Sequence, residues 1–194
     1  MCLTGGSFNR HDRSYRDFAP EGHNPAGSVL GKDSLVTADV MVIIERQLDY
    51  PKQVVFDAWT RPEQMRDWRG SPGWHVERDT VTSDLRVGGA HHHVKVVDAD
   101  PTVRVTTDAV FTEYFPPDVF VARQRITGDP GIDPDSIMEL RVELIKTGRD
   151  GTLVRIVQGP YEAAVAGYHT EGWEKELNRL DAFLAAHTVA GATR

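Results

Sequence analysis

Val55-Phe56-Asp57-Ala58-Trp59-Thr60-Arg61-Pro62-Glu63, with Trp68 soon after and Asp84-Leu85-Arg86-Val87-Gly88-Gly89 further on, is the passage from which the architecture of this chain follows. Pro51 and Pro62 each stand where a helix would have its first residue, a position at which the missing N–H costs nothing. Val55, Ala58 and Trp59 then share one face of a short helix, and Met65 and Trp68 share one face of the next. The spacing predicts two short helices, near 51–59 and 62–68. The paired glycines Gly88-Gly89 close a strand and mark a bend or a close backbone approach.

Ahead of this passage Val40, Val42 and Ile44 alternate with other residues and open a first strand near 39–48. Behind it the pattern predicts strands at about 74–81, 84–87, 90–97, 103–115, 118–127, 136–146 and 152–159. Met138, Leu140, Val142 and Leu144 alternate with Glu139, Arg141 and Glu143, as in a half-buried antiparallel strand. Pro116-Pro117 and Gly148-Arg149-Asp150-Gly151 punctuate hairpins, and Asp129 to Pro134 reads as a longer surface loop. A helix is predicted near 170–186, where Trp173, Leu177, Leu180 and Leu184 form one apolar stripe. Thr170 suits its N-cap, and Glu171, Glu174 and Glu176 suit the positive end of its dipole. A long amphipathic helix following a curved antiparallel sheet lays its stripe across the concave face. The expected class is α+β, with one domain at 37–187, a flexible N-terminal extension at 1–36 and a tail at 188–194.

Composition narrows the functions. The 194 residues suit one domain with a good core, and 40% hydrophobic with 26% charged residues is ordinary for a soluble globular protein. A net charge of −7 without any Lys/Arg cluster argues against a nucleic-acid backbone as partner. No apolar run is long enough to span a bilayer, so no membrane partner is expected. Cys2 is the sole cysteine, which excludes an internal disulfide and a cysteine-based metal cluster. The N-terminus has no apolar signal segment, and a cytoplasmic protein is expected. A nucleophile elbow, a Walker loop and a G-x-G-x-x-G fingerprint are all missing, and no cofactor is expected.

The order strand, two short helices, antiparallel strands and long C-terminal helix resembles the helix-grip fold of the START/SRPBCC superfamily. Within it the chain resembles homologues of the C-terminal domain of the heat-shock chaperone ATPase activator. The matching motifs are Pro51 to Glu63 with Trp68, Asp84 to Gly89, Pro116-Pro117, Gly151-Thr152 with Gln158, and Gly172-Trp173 with Leu177, Leu180 and Leu184. The resemblance covers about residues 39–186 and implies an elongated cavity between sheet and long helix, used for hydrophobic ligands or, in some relatives, for cyclising polyketides. The chain departs from that pattern in its N-terminal segment, in the loop at 128–135, and in His91-His92-His93, where relatives put bulky aromatic and basic residues.

On a strand His91 and His93 point to one face and His92 to the other. The pair could serve as polar cavity groups, as an acid/base, or with His75 or Glu113 as a metal set; no metal is expected, for want of a third ligand. Trp68 and Trp74 flank the loop Arg69 to Gly73 and could line a cavity mouth. Glu113 and Gln124 lie on strands that should border the cavity, and the resemblance implies that Phe120, Ala122, Gln124 and Ile126 face inward. Tyr161, Tyr168 and His169 precede the predicted helix and could gate the opening. The ligand-binding set is therefore Trp68, Trp74, His91, His93, Glu113, Gln124, Tyr168 and His169, with no catalytic residue assigned. Binding of a small hydrophobic molecule leads. A cofactor-independent acid/base enzyme of polyketide-cyclase type and a chaperone-associated interaction module are the alternatives, and a homodimer is compatible with each.

Overall fold

The computed structural model describes residues 39–191, with side chains as far as His187; the expected extension at 1–36 and the end of the expected tail, 192–194, lie outside the described residues. Alternation over Asp39–Leu48 (β1) buries Val42, Ile44 and Leu48 and exposes Met41 and Ile43. The helices Lys52–Thr60 (α1) and Pro62–Trp68 (α2) follow; Pro62 takes the first helical position as expected, whereas Pro51, with extended backbone, is the N-cap of α1 and not its first residue. Arg61 ends the first and caps the second, so the chain turns on one extended residue with Pro62 at the first helical position.

The strands after them are Trp74–Val76 (β2), Thr82–Ser83 (β3), Ala90–Val97 (β4), Arg104–Phe115 (β5), Val119–Thr127 (β6), Met138–Thr147 (β7) and Gly151–Glu162 (β8). They form one eight-stranded antiparallel sheet in the order β1-β8-β7-β6-β5-β4-β2, with β2 and β3 sharing the free edge of β4. The sheet curls about the helix Ala163–Gly191 (α3), which rests on β1, β8 and both short helices. Trp173, Leu177, Leu180 and Leu184 are the buried stripe. Trp59 stacks on Trp173 with ring centroids 5.8 Å apart and meets Trp68 edge-on at 4.9 Å. Trp68 is fully buried and donates its indole N–H to the Ala58 carbonyl at 2.8 Å. The tryptophans of the two short helices thus fasten α3 to one end of the sheet.

Four further local expectations are corrected. Residues 84–87 form a turn, not a strand. It docks on β5 through Gly88 N–H to Phe111 O and Phe111 N–H to Gly89 O. Gly88 has φ of +79°, and a Cβ on Gly89 would run into the Asp84 carbonyl, so both positions require glycine. The strand expected at 74–81 stops at Val76 and becomes a 3₁₀ turn at Arg78–Thr80. There Thr80 Oγ1 donates to Glu77 O and accepts from Val94 N–H, a side-chain alternative to ladder pairing.

The long helix starts at Ala163, so Thr170 is interior, its hydroxyl donating to Ala166 O, and is not the N-cap. Gly167 and Gly172 weaken the helical signal of that first stretch, while packing on the sheet supplies the stability. Finally, the loop after β6 turns inward and buries Ile132 in the core.

Candidate functional site

Glu176 lies on the buried stripe of α3, three residues beyond Trp173, and is 4% exposed. A buried carboxylate there requires a cation. Arg69, the residue that ends α2, places Nη1 2.6 Å from Glu176 Oε2, and Lys95 of β4 places Nζ 3.2 Å from Oε1. The guanidinium of Arg69 lies 4.1 Å from the centre of the Trp173 ring and also sits over Trp59 and Trp68. Burial pushes the Glu176 carboxyl up, but Arg69 and then Lys95 outweigh it and hold its pKa below the usual value. The pair is therefore charged.

A second buried network has a readable direction. The Trp173 indole N–H can only donate, and its partner 2.7 Å away is Gln158 Oε1, which also accepts from the Tyr161 hydroxyl. Gln158 then donates through Nε2 to Gln124 Oε1 at 2.9 Å. The amino group of Gln124 is left as the donor at the end of the chain. Burial first, and Asp129 second, push the Tyr161 phenol up, so it stays a hydrogen-bond donor.

Both networks form the floor of a cleft of about 390 Å³ between the sheet and the first half of α3. Its apolar walls include Trp74, Val105, Ile126, Ile132 and Trp173; Lys95, Gln124, Asp129, Tyr161 and His169 are among its polar groups. Among the sequence candidates, Trp74, Gln124, Tyr168 and His169 come together here. Tyr168 and His169 lie on α3 itself rather than before it. Tyr168 is 63% exposed at the rim, and His169 stacks on Tyr161 with centroids 4.2 Å apart.

The other candidates lie elsewhere. Trp68 is core, not a cavity mouth. Glu113 is turned to the outer face, where it pairs with Arg141 at 3.1 Å, because a β-bulge between Phe111 and Glu113 shifts the alternation. His91 and His93 line a separate inner chamber of about 30 Å³, which shares Arg69 and Gln124 with the cleft as a common wall. His91 Nε2 is 3.1 Å from His93 Nδ1, and His91 Nδ1 is 3.3 Å from Ser83 Oγ. Burial, then Arg69, lowers the His91 pKa to about 4; burial, then His91 and Arg69, lowers that of His93 as well. His92, on the opposite face, pairs with Asp108, and His75 pairs with Asp98. Among the described residues no group of three His, Cys, Asp or Glu side chains is arranged to hold a metal.

Arg69, Lys95 and Glu176 are site residues that the sequence reading missed. Two signals were present. Glu176 sits in the apolar stripe, where a lone charge demands a partner, and the alternation that turns His91 and His93 inward turns Lys95 inward too.

The curled sheet gripping a long helix, with a cleft between them, defines a helix-grip protein of the START/SRPBCC class. The chain belongs to the family described as Activator of Hsp90 ATPase homolog 1-like protein, whose family model matches residues 49–185. Among solved structures it is similar to a protein from Chromobacterium violaceum (21% identity, TM-score 0.65, covering 74% of this chain and 96% of that one). It is similar as well to the AHSA1 protein from Silicibacter pomeroyi (19%, TM-score 0.64, 76% and 99%). A third is the AHSA1-like protein from Aeromonas hydrophila (21%, TM-score 0.61, 77% and 94%). At these identities the likeness is one of fold. No curated protein matches the chain significantly. No helix among the described residues is long and apolar enough to cross a membrane.

Proposed function

We propose that this protein binds a small, largely apolar molecule in the cleft between the sheet and α3, its polar end directed at Gln124 and Lys95. The observation that carries this reading is the composition of the cleft: Trp74, Val105, Ile126, Ile132 and Trp173 converge on a few oriented donors. Apolar walls with a small number of fixed polar groups are what recognition of a small molecule needs. The ion pair beneath the cleft and the Gln158–Gln124 chain hold those donors in place before a ligand arrives, which lowers the ordering cost of binding.

His91 and His93 are not among the residues lining the cleft, and the histidine that does line it, His169, has its ring stacked on Tyr161. Ligand binding therefore ranks above the cyclase-like reading.

Gly172 provides the test. It lines the cleft, and a Cβ there meets only Ser71 Oγ at 4.0 Å, so Gly172→Leu fills the space while improving helix propensity. Tag-free protein is screened by thermal shift against medium-chain fatty acids, planar aromatic alcohols and naphthalene sulfonates. The expected result is that members of one class raise the melting temperature of the native chain, whereas Gly172→Leu is stable and unresponsive. If no class shifts the native chain, or the variant responds equally, the cleft is not the binding site.

A further inference from the structure

The inner chamber holds two nitrogens that the rest of the protein leaves unused. His93 Nε2 and Trp59 Nε1 are buried, and neither has a hydrogen-bond partner among the described residues. His93 is 2% exposed, Trp59 is 5% exposed, and both line this chamber. Buried polar nitrogens left unpaired are costly, and native proteins satisfy such groups with a bound molecule when there is room. A chamber of about 30 Å³ has room for a water or a molecule little larger.

Chemistry narrows the occupant. Trp59 Nε1–H only donates, so the occupant must accept. Met65, Phe111, Phe120, Ala122 and Leu140 supply apolar walls, and Arg69, the cation present, is already paired with Glu176. A further charge would therefore be buried without compensation. A hydroxyl oxygen has the chemistry for both nitrogens, since it can accept from the Trp59 N–H and donate its own hydrogen to His93 Nε2.

That last bond sets the direction of everything behind it. With Nε2 accepting, His93 carries its proton on Nδ1 and donates to His91 Nε2, and His91 in turn donates from Nδ1 to Ser83 Oγ.

We propose that the inner chamber is a binding site for one small uncharged hydroxyl compound, water in the protein by itself, held between His93 Nε2 and Trp59 Nε1. The site is separate from the cleft and does not rest on the cleft's having a ligand.

Two-dimensional ¹H–¹⁵N spectra of the ¹⁵N-labelled full chain at neutral pH test this, with methanol as the probe. Long-range imidazole correlations are expected to show His91 and His93 neutral and protonated on Nδ1. A cross-peak between long-lived water and the Trp59 indole proton is expected, and methanol should replace it with a saturable shift of that proton and of His93 Nε2. An Nε2-protonated His93, no water cross-peak at Trp59, or indifference to methanol would each overturn the proposal. His93→Phe, which keeps the ring volume, should lose the water cross-peak; its persistence would contradict the assignment. The spectra of the native chain decide the matter even where that variant folds poorly.

Discussion

Arg69 and Glu176 are each tolerable in this interior only because the other is there. Replacing Glu176 with Leu leaves a guanidinium among three tryptophans with no carboxylate to neutralise it, and should destabilise the protein by about 3–5 kcal/mol in urea unfolding. Adding Arg69→Met should recover most of that loss; a single variant as stable as the native chain would contradict the pairing.

His91 and His93 carry a pH signature of their own. Their pKa values are depressed in the folded state, so the unfolded chain binds protons first as pH falls. Stability from these groups is complete above pH 6.5 and is lost toward pH 4, with His91 alone accounting for about 3 kcal/mol. Arg69 and Lys95 face the pair and act in this same direction, as does His92 from the opposite face of the strand. The measurement is the unfolding free energy between pH 7 and 4.5, a window largely above the ordinary range of Glu176, which acts in the same sense further down. A flat profile there would mean that the imidazoles are solvated. Alternation alone revealed that His91 and His93 share a face. The outward turn of Glu113 was hidden, because the bulge at Phe111/Glu113 leaves no residue signature.

Between residue and fold, glycine does most to separate reading from structure. The stripe Trp173, Leu177, Leu180 and Leu184 located the last helix, but Gly167 and Gly172 obscured where it begins, in turns where His169 stacks on Tyr161 of β8. A Cβ on Gly167 meets nothing within 4 Å, so Gly167→Ala should stabilise the protein by roughly 0.5–1 kcal/mol, measured by thermal unfolding. Loss of stability there would argue that α3 starts later than Ala163. The turn at Asp84–Gly89 behaves oppositely. Gly88→Ala should cost about 1–2 kcal/mol for its left-handed backbone, and Gly89→Ala more, since its Cβ collides with a main-chain oxygen that cannot step aside. Most strands were legible from alternation. The passage 84–87 was not, because Leu85 and Val87 alternate as a strand would while remaining exposed on a turn.

For the molecule as a whole, the order of its elements was readable because each motif from Pro51 to Leu184 is local in sequence. The cleft was legible only through the family resemblance. Its floor joins Arg69, Lys95, Gln124, Gln158 and Glu176 from five separate elements, and no local pattern encodes their meeting. The decisive measurement is a ¹H–¹⁵N titration of the labelled chain with 1-anilinonaphthalene-8-sulfonate, whose ring system and anionic group match the walls and donors described. Saturable shifts of the Trp173 indole, the Gln124 amide and the backbone of Ile126 and Ile132, all absent in Gly172→Leu, are the expected result. Shifts that do not saturate, or that gather around Arg141 on the outer face, would contradict the assignment of the cleft as a binding site.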